Sequence, residues 1–278
     1  MSTYPNNLIV GFVFVLATLF LTWLPDANAA SQRLILTGSS TVAPLVGEIA
    51  RQYESIHPGV RIDVQTGGSS RGINDVRNSV ADIGMVSRSL KSTENDLQAF
   101  TIALDGISMI VHTNNPITTL SKQQIADIYT GKITNWKTVG GPDARITVVN
   151  KAEGRSTLEL FLHYVQLKNS QIKPHVIIGD NPQGIKTVTG NPHAIGYVSI
   201  GAAEYEAKRG APVRLLALDG VAASVANVHA KAFPLSRPLN LVTKKSPQEL
   251  TQNFITFARS LQINALIEAQ YFVPVSTD

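Results

Sequence analysis

The chain has 278 residues, 44% hydrophobic and 16% charged, so it can bury one large or two modest cores and is not a disordered polymer. It has no cysteine, which excludes a disulfide framework, a thiolate metal site, a cysteine nucleophile and a lipid-modified cysteine. A formal net charge of +4 favours small anions, while the scattered Lys and Arg form no nucleic-acid footprint.

Leu8 to Leu24 is an unbroken apolar run, followed by Pro25-Asp26 and the small-x-small pattern Ala27-Asn28-Ala29. Residues 1–29 therefore read as a signal peptide, exporting the chain to the periplasm. No Lys or Arg precedes the run, and its length is at the lower edge of a bilayer span, so a retained N-terminal membrane anchor is the alternative.

Beyond that segment, strand and helix signals alternate. Leu34-Ile35-Leu36 predicts a buried strand, and Val42, Leu45, Val46, Ile49, Tyr53 and Ile56 share one helical face that His57-Pro58-Gly59 ends. Val60, Ile62 and Val64 alternate as a strand, then Gly67-Gly68-Ser69-Ser70 turns into a helix carrying Ile73, Val76 and Val80. Strands follow at Asp82 to Val86 and at Ile107 to Val111. Ser121 and Gln124 form a capping box for a helix carrying Ile125, Ile128 and Tyr129, which Gly131 ends. Arg145 to Asn150 predicts a strand, Leu158, Phe161, Leu162 and Val165 a helix, and Ala194 to Ile200 another strand. Ser246, Pro247 and Glu249 predict the start of a helix that packs Phe254, Phe257 and Leu261. The alternation implies an α/β architecture with largely parallel sheets and no short repeat.

Three of the strand-to-helix turns share a composition: Gly38-Ser39-Ser40-Thr41, Gly67-Gly68-Ser69-Ser70 and Gly154-Arg155-Ser156-Thr157. Each sets hydroxyls and glycine at a helix start, where free N–H groups and the positive dipole end favour an anion. In an open α/β sheet such turns lie together beyond the carboxyl ends of the strands. The competing reading is that each Ser or Thr simply caps its helix. A rival motif, Gly68-Ser69-Ser70-Arg71-Gly72, matches G-x-S-x-G and makes Ser70 a candidate hydrolase nucleophile, with five histidines further on as candidate bases. The last turn ends like a P-loop but lacks the upstream glycine and has Arg for Lys, which rejects a nucleoside triphosphatase. No His/Asp/Glu cluster has metal-ligand spacing, and no cofactor is implied.

These segments, with Ala81 to Arg88, Ile125 to Trp136, Lys151 to Thr157 and Ala194 to Val198, resemble the phosphate-binding protein family of the phosphate uptake ABC transporter. The resemblance runs from about Leu34 to Leu261, and Gly131-Lys132-Ile133-Thr134-Asn135-Trp136 is its most specific piece. It implies a two-lobe periplasmic-binding-protein type II fold with a hinged cleft: residues 31–112 plus 224–278 as one lobe, 113–223 as the other, with crossings near Ile110–Asn115 and Leu218–Pro234. It also implies a monomeric, non-enzymatic binder of phosphate or a related oxyanion that serves an ABC permease and no nucleic acid. A sensor or adhesion factor of the same fold is the alternative. Ligand contacts carried over by position are Ser40, Thr41 and Ser69 from one lobe and Lys151, Arg155, Ser156 and Thr157 from the other, with Ser39 and Ser70 adjacent. The family usually has Arg where Lys151 stands, and Arg155 is a candidate replacement for that guanidinium. Glu153 is the expected partner of Lys151. Ser87, followed by Arg88, stands where well-known members have an Asp that accepts a hydrogen bond from protonated phosphate, and Asp105 is a second candidate for that acceptor.

Overall fold

The computed structural model describes Met1 and residues 32–275; residues 2–29 of the expected signal peptide lie outside them. Twelve strands and nine α-helices occur among the described residues. In chain order they are β1 (Gln32–Gly38), α1 (Ala43–Ile56), β2 (Val60–Thr66), α2 (Ser69–Arg77), β3 (Ile83–Val86), β4 (Leu97–His112), β5 (Thr119–Leu120) and α3 (Lys122–Tyr129). Next come β6 (Thr147–Lys151), α4 (Ser156–Val165), β7 (Val176–Ile178), α5 (Asn181–Thr189), β8 (Ala194–Ser199), α6 (Ile200–Lys208), β9 (Val213–Leu215) and β10 (Ala217–Leu218). The chain ends with α7 (Val225–His229), β11 (Ser236–Lys244), α8 (Glu249–Ala258), α9 (Asn264–Ala269) and β12 (Val273–Pro274).

One long strand organises the molecule. The first part of β4, Leu97 to Gly106, pairs antiparallel with β11 and β12, and the remainder, Ile107 to His112, pairs with β8 and β9. On one side the order continues β11-β3-β1-β2, on the other β8-β6-β7, and β1, β2 and β3 are mutually parallel, as are β6, β7 and β8. Each side has helices on both faces, the arrangement that buries parallel strands. In the first, α1, α8 and α9 set Leu45, Ile49, Phe254 and Ile267 against Leu36 and Leu241, while α2 covers the opposite face with Ile73 and Val76. In the second, Tyr129, Trp136, Phe161 and Tyr197 fill one core, and Ile185 and Val188 of α5 fill the other. The result is two α/β lobes sharing β4.

Local chemistry explains most element boundaries. Pro44 opens α1, and Ser121 and Gln124 exchange the two bonds of the predicted capping box, at 3.2 and 2.8 Å. Three expectations fail. The second helix stops at Arg77, and Val80 is left exposed after Ser79 turns left-handed. The final long helix begins at Glu249, because Gln248 is extended, so Ser246 and Pro247 lie ahead of the helix. Leu261 falls beyond its end and is exposed.

Candidate oxyanion-binding site

The carboxyl ends of β1, β2, β3, β6 and β7 converge between the lobes, and the three hydroxyl-rich turns meet there. At α2 and α4 the cap positions are Gly68 and Arg155, neither with a side-chain cap bond, so the hydroxyls there do not cap the helices. Ahead of α1 the capping reading holds for Ser39 alone, whose Oγ accepts from the Thr41 amide and whose carbonyl accepts from the Ala43 N–H. Gly68 has φ +96°, and a Cβ there would sit 2.6 Å from the Gly154 carbonyl oxygen of the other lobe. Only glycine permits that approach.

At the centre lies a residue the sequence reading missed. Arg237, on β11, is paired in register with Asp105 on β4, and both side chains are 1% exposed. The guanidinium donates from Nε and Nη2 to Asp105 Oδ2 at 3.1 and 2.8 Å. Its other bonds reach Thr41 Oγ1 (3.2 Å), Ser87 Oγ (3.3 Å) and Thr157 Oγ1 (3.0 Å). Arg237 thus gathers hydroxyls from both lobes. Ser39 Oγ lies 3.0 Å from Ser87 Oγ and accepts from the Thr41 amide, and Ser69 Oγ accepts from the Ser87 amide at 3.1 Å. Asn181, at the start of α5, donates to Thr41 Oγ1 and accepts from Lys151 Nζ, each at 3.0 Å. Behind them Tyr197 accepts from the Lys151 amide at 3.3 Å and donates to Asn150 at 2.6 Å.

Burial, with Arg237 and then Arg155 as like charges, pulls the Lys151 ammonium down to about 7, and Asp180 only partly offsets this. Asp105 neutralises Arg237, which leaves the Lys151 ammonium as the charge that an anion in the cleft would favour. Ser156 Oγ and Arg155 Nε are buried without a hydrogen-bond partner, and the first N–H groups of α4 have no intrahelical acceptor.

Of the residues singled out in the sequence, Ser39, Thr41, Ser69, Ser87, Lys151 and Thr157 join this network, and Ser156 adjoins it. Four lie around it. Ser40 lines an open cavity of about 600 Å³ between the lobes, beside Thr41 and Asn181. Arg155 lays its stem over Gly68 and sets its guanidinium beside Gly179. Ser70 donates to Glu159 at 3.3 Å, and its amide donates to Gly154 O. That partner is a carboxylate held by Lys91 and Arg88, not an imidazole, which removes the nucleophile reading. Arg88 is buried against Glu94 with two bonds of 2.8 Å.

Two further expectations are corrected. Glu153 bonds Asn169 rather than Lys151, whose partner is Asn181. Asp105 cannot accept a ligand proton: Oδ2 takes two bonds from Arg237, and Oδ1 takes one each from Ser199 Oγ and the Gly201 amide. Asn181 and Arg237 were hidden for different reasons. Asp180-Asn181-Pro182 reads as an ordinary helix start, and Arg237 shows only as a lone charge in an apolar strand.

Two α/β lobes that close hydroxyls and buried cations on one point define a cleft-type anion-binding protein. Residues 25–260 match the family described as the PBP superfamily domain, and the chain belongs to that family. It is similar to the phosphate-binding protein PstS of Borreliella burgdorferi, 26% identical over 97% of this chain and 99% of the relative. Among solved structures it is similar to one from Clostridium perfringens with bound phosphate, described as a phosphate ABC transporter substrate-binding protein: 35% identity, TM-score 0.82, covering 88% of this chain and all of that one. An ABC-type phosphate transport receptor from Vibrio cholerae gives 30% identity and a TM-score of 0.70 over the same shares.

Proposed function

We propose that this chain is an exported solute-binding protein, not an enzyme, that captures phosphate between its lobes and delivers it to an ABC transporter permease. The observation that carries this is the buried network in which Arg237, Lys151 and Asn181 hold Thr41, Ser87 and Thr157 of opposite lobes around one point. Its ligand set is the hydroxyls of Thr41, Ser69, Ser87, Ser156 and Thr157, the α4 amides, and Lys151, with Ser39 donating to Ser87 from behind. Binding drives closure because only the closed state brings both lobes to the anion. The pairing of β4 supports crossings at Gly106/Ile107 and before Ser236, giving lobes of 32–106 plus 236–275 and 107–235. Val228 and Phe233 pack in the core of the second lobe, which supports the later return. The protein works as a monomer without nucleic acid.

Isothermal titration of phosphate-stripped protein tests the reading. One phosphate bound per chain, and loss of the heat in a Thr41→Val/Thr157→Val variant, is the expected result. A folded protein with no phosphate heat overturns it.

A further inference from the structure

An anion site rejects an unprotonated ligand when a fixed acceptor faces it, because that acceptor then has no proton to receive and stays buried and unpaired. Carboxylates and carbonyls are fixed acceptors; a hydroxyl, with one hydrogen and two lone pairs, turns to suit. Of the carboxylates near the network, Asp105 and Glu159 are committed to protein donors and Asp180 lies to one side. Asp105 receives four donors, filling both oxygens. Glu159 lies at the lip with Arg88, Lys91 and Ser70. Asp180 is half-buried on the side of the adjoining open cavity; its Oδ1 accepts from the Gln183 amide at 2.8 Å, and its other oxygen is on the side that water can reach.

What remains at the centre is hydroxyls, biased toward donation by Arg237. Its five N–H groups make five bonds, two to Asp105 and one each to Thr41, Ser87 and Thr157. Thr41 Oγ1 accepts from both Arg237 and Asn181, so its lone pairs are used and its hydrogen is left for the ligand. Ser87 Oγ accepts from Arg237 and shares a bond with Ser39 Oγ; with Ser39 donating, its hydrogen is free as well. The Ser156 hydroxyl has no protein partner and can turn either way.

We infer that this cleft is a receptor for tetrahedral oxyanions at large, taking sulfate as well as phosphate, with Arg237 as the positioning residue that aims the hydroxyls at the ligand. The inference rests on the phosphate-capture reading and extends its ligand class. An unprotonated dianion meets donors and leaves no buried acceptor unpaired, so the site holds no filter against it.

Competition titration of the full mature protein tests this, with sulfate displacing bound phosphate at pH 7.5. Sulfate affinity within about tenfold of phosphate is expected, since no unpaired acceptor separates the two. Phosphate binding with no displacement by a thousandfold excess of sulfate (about 4 kcal/mol of discrimination) overturns the inference and leaves phosphate capture standing. Binding of neither anion overturns both. Ser87→Asp adds a fixed acceptor, and in folded variant protein the phosphate-to-sulfate ratio should rise at least about thirtyfold. An unchanged ratio overturns the placement of Ser87 against the ligand. Should the variant not fold, the competition on the natural chain decides alone.

Discussion

Lys151 is the residue whose charge depends most on what fills the cleft. With the ligand absent, burial and two guanidinium groups hold it at about 7, far below an ordinary lysine. The unfolded chain therefore binds more protons than the folded one from pH 7 upward. Stability of the ligand-free protein should rise over pH 7–9 by up to about 1.4 kcal/mol per unit. A bound dianion favours the ammonium form, so the complex keeps a proton that the free protein loses. Affinity should then fall with pH above 7 by up to about tenfold per unit, with proton uptake on binding. Thermal melts and titrations in buffers of different ionisation heat read both slopes. Lys151→Met should flatten them, and slopes that persist in the variant would place the titrating group elsewhere.

The buried Arg237–Asp105 pair makes a second prediction at this scale. Removing one partner leaves a buried charge, which costs about 3–5 kcal/mol, whereas removing both restores much of the loss. Denaturant unfolding should show Arg237→Met less stable than the Arg237→Met/Asp105→Asn double variant, and both should bind anion poorly. Equal stability would mean that the carboxylate finds another partner.

Among the elements, the turns between strand and helix set how closely the lobes meet. Gly68 precedes α2 and passes the Gly154 carbonyl that opens the way to α4. Gly68→Ala places a Cβ 2.6 Å from that oxygen and strains a backbone at φ +96°. Gly59 has nearly the same φ, +94°, with nothing near its Cβ position. Both alanine variants should lose about 1–2 kcal/mol of stability from strain. Only Gly68→Ala should lose affinity, by about tenfold or more, because closure is held open. Calorimetry on the pair separates the two effects, and equal affinities would show that the lobes do not need this contact.

What the sequence revealed follows the same division. The three turns were legible because glycine, hydroxyl and helix start are neighbours in the chain, and the α1 and α4 faces because their apolar spacing is local. The first half of β4 was not legible: Asp105 and Gly106 interrupt its apolar pattern, and a 16-residue strand serving two sheets has no local signature. Arg237 becomes a site residue only through the register of β11 on β4, set by pairing across 132 positions. Ser246-Pro247 and Leu261 misled because local helix signals stood where Gln248 is extended and the helix had already ended.

For the whole molecule, capture and release depend on how firmly the closed cleft is held. A polar lip joins the lobes outside the anion network: Glu159 of α4 lies 2.8 Å from Lys91 and 3.3 Å from Arg88, and accepts from Ser70. Arg88 is already neutralised by Glu94, so losing Glu159 leaves no uncompensated buried charge. Glu159 and Lys91 are partly exposed, and such a contact is worth about 0–1 kcal/mol. That is too little to close the lobes alone and enough to change the rate at which they part. Glu159→Gln should therefore leave the melting temperature of the ligand-free protein nearly unchanged and raise the dissociation rate about two- to fivefold. Salt should speed release in the natural chain more than in the variant, because screening weakens the same contact. Stopped-flow release at two ionic strengths measures both. A dissociation rate insensitive to the substitution and to salt would place the whole of the closing force in the buried network around Arg237, and the lip would then only keep water out.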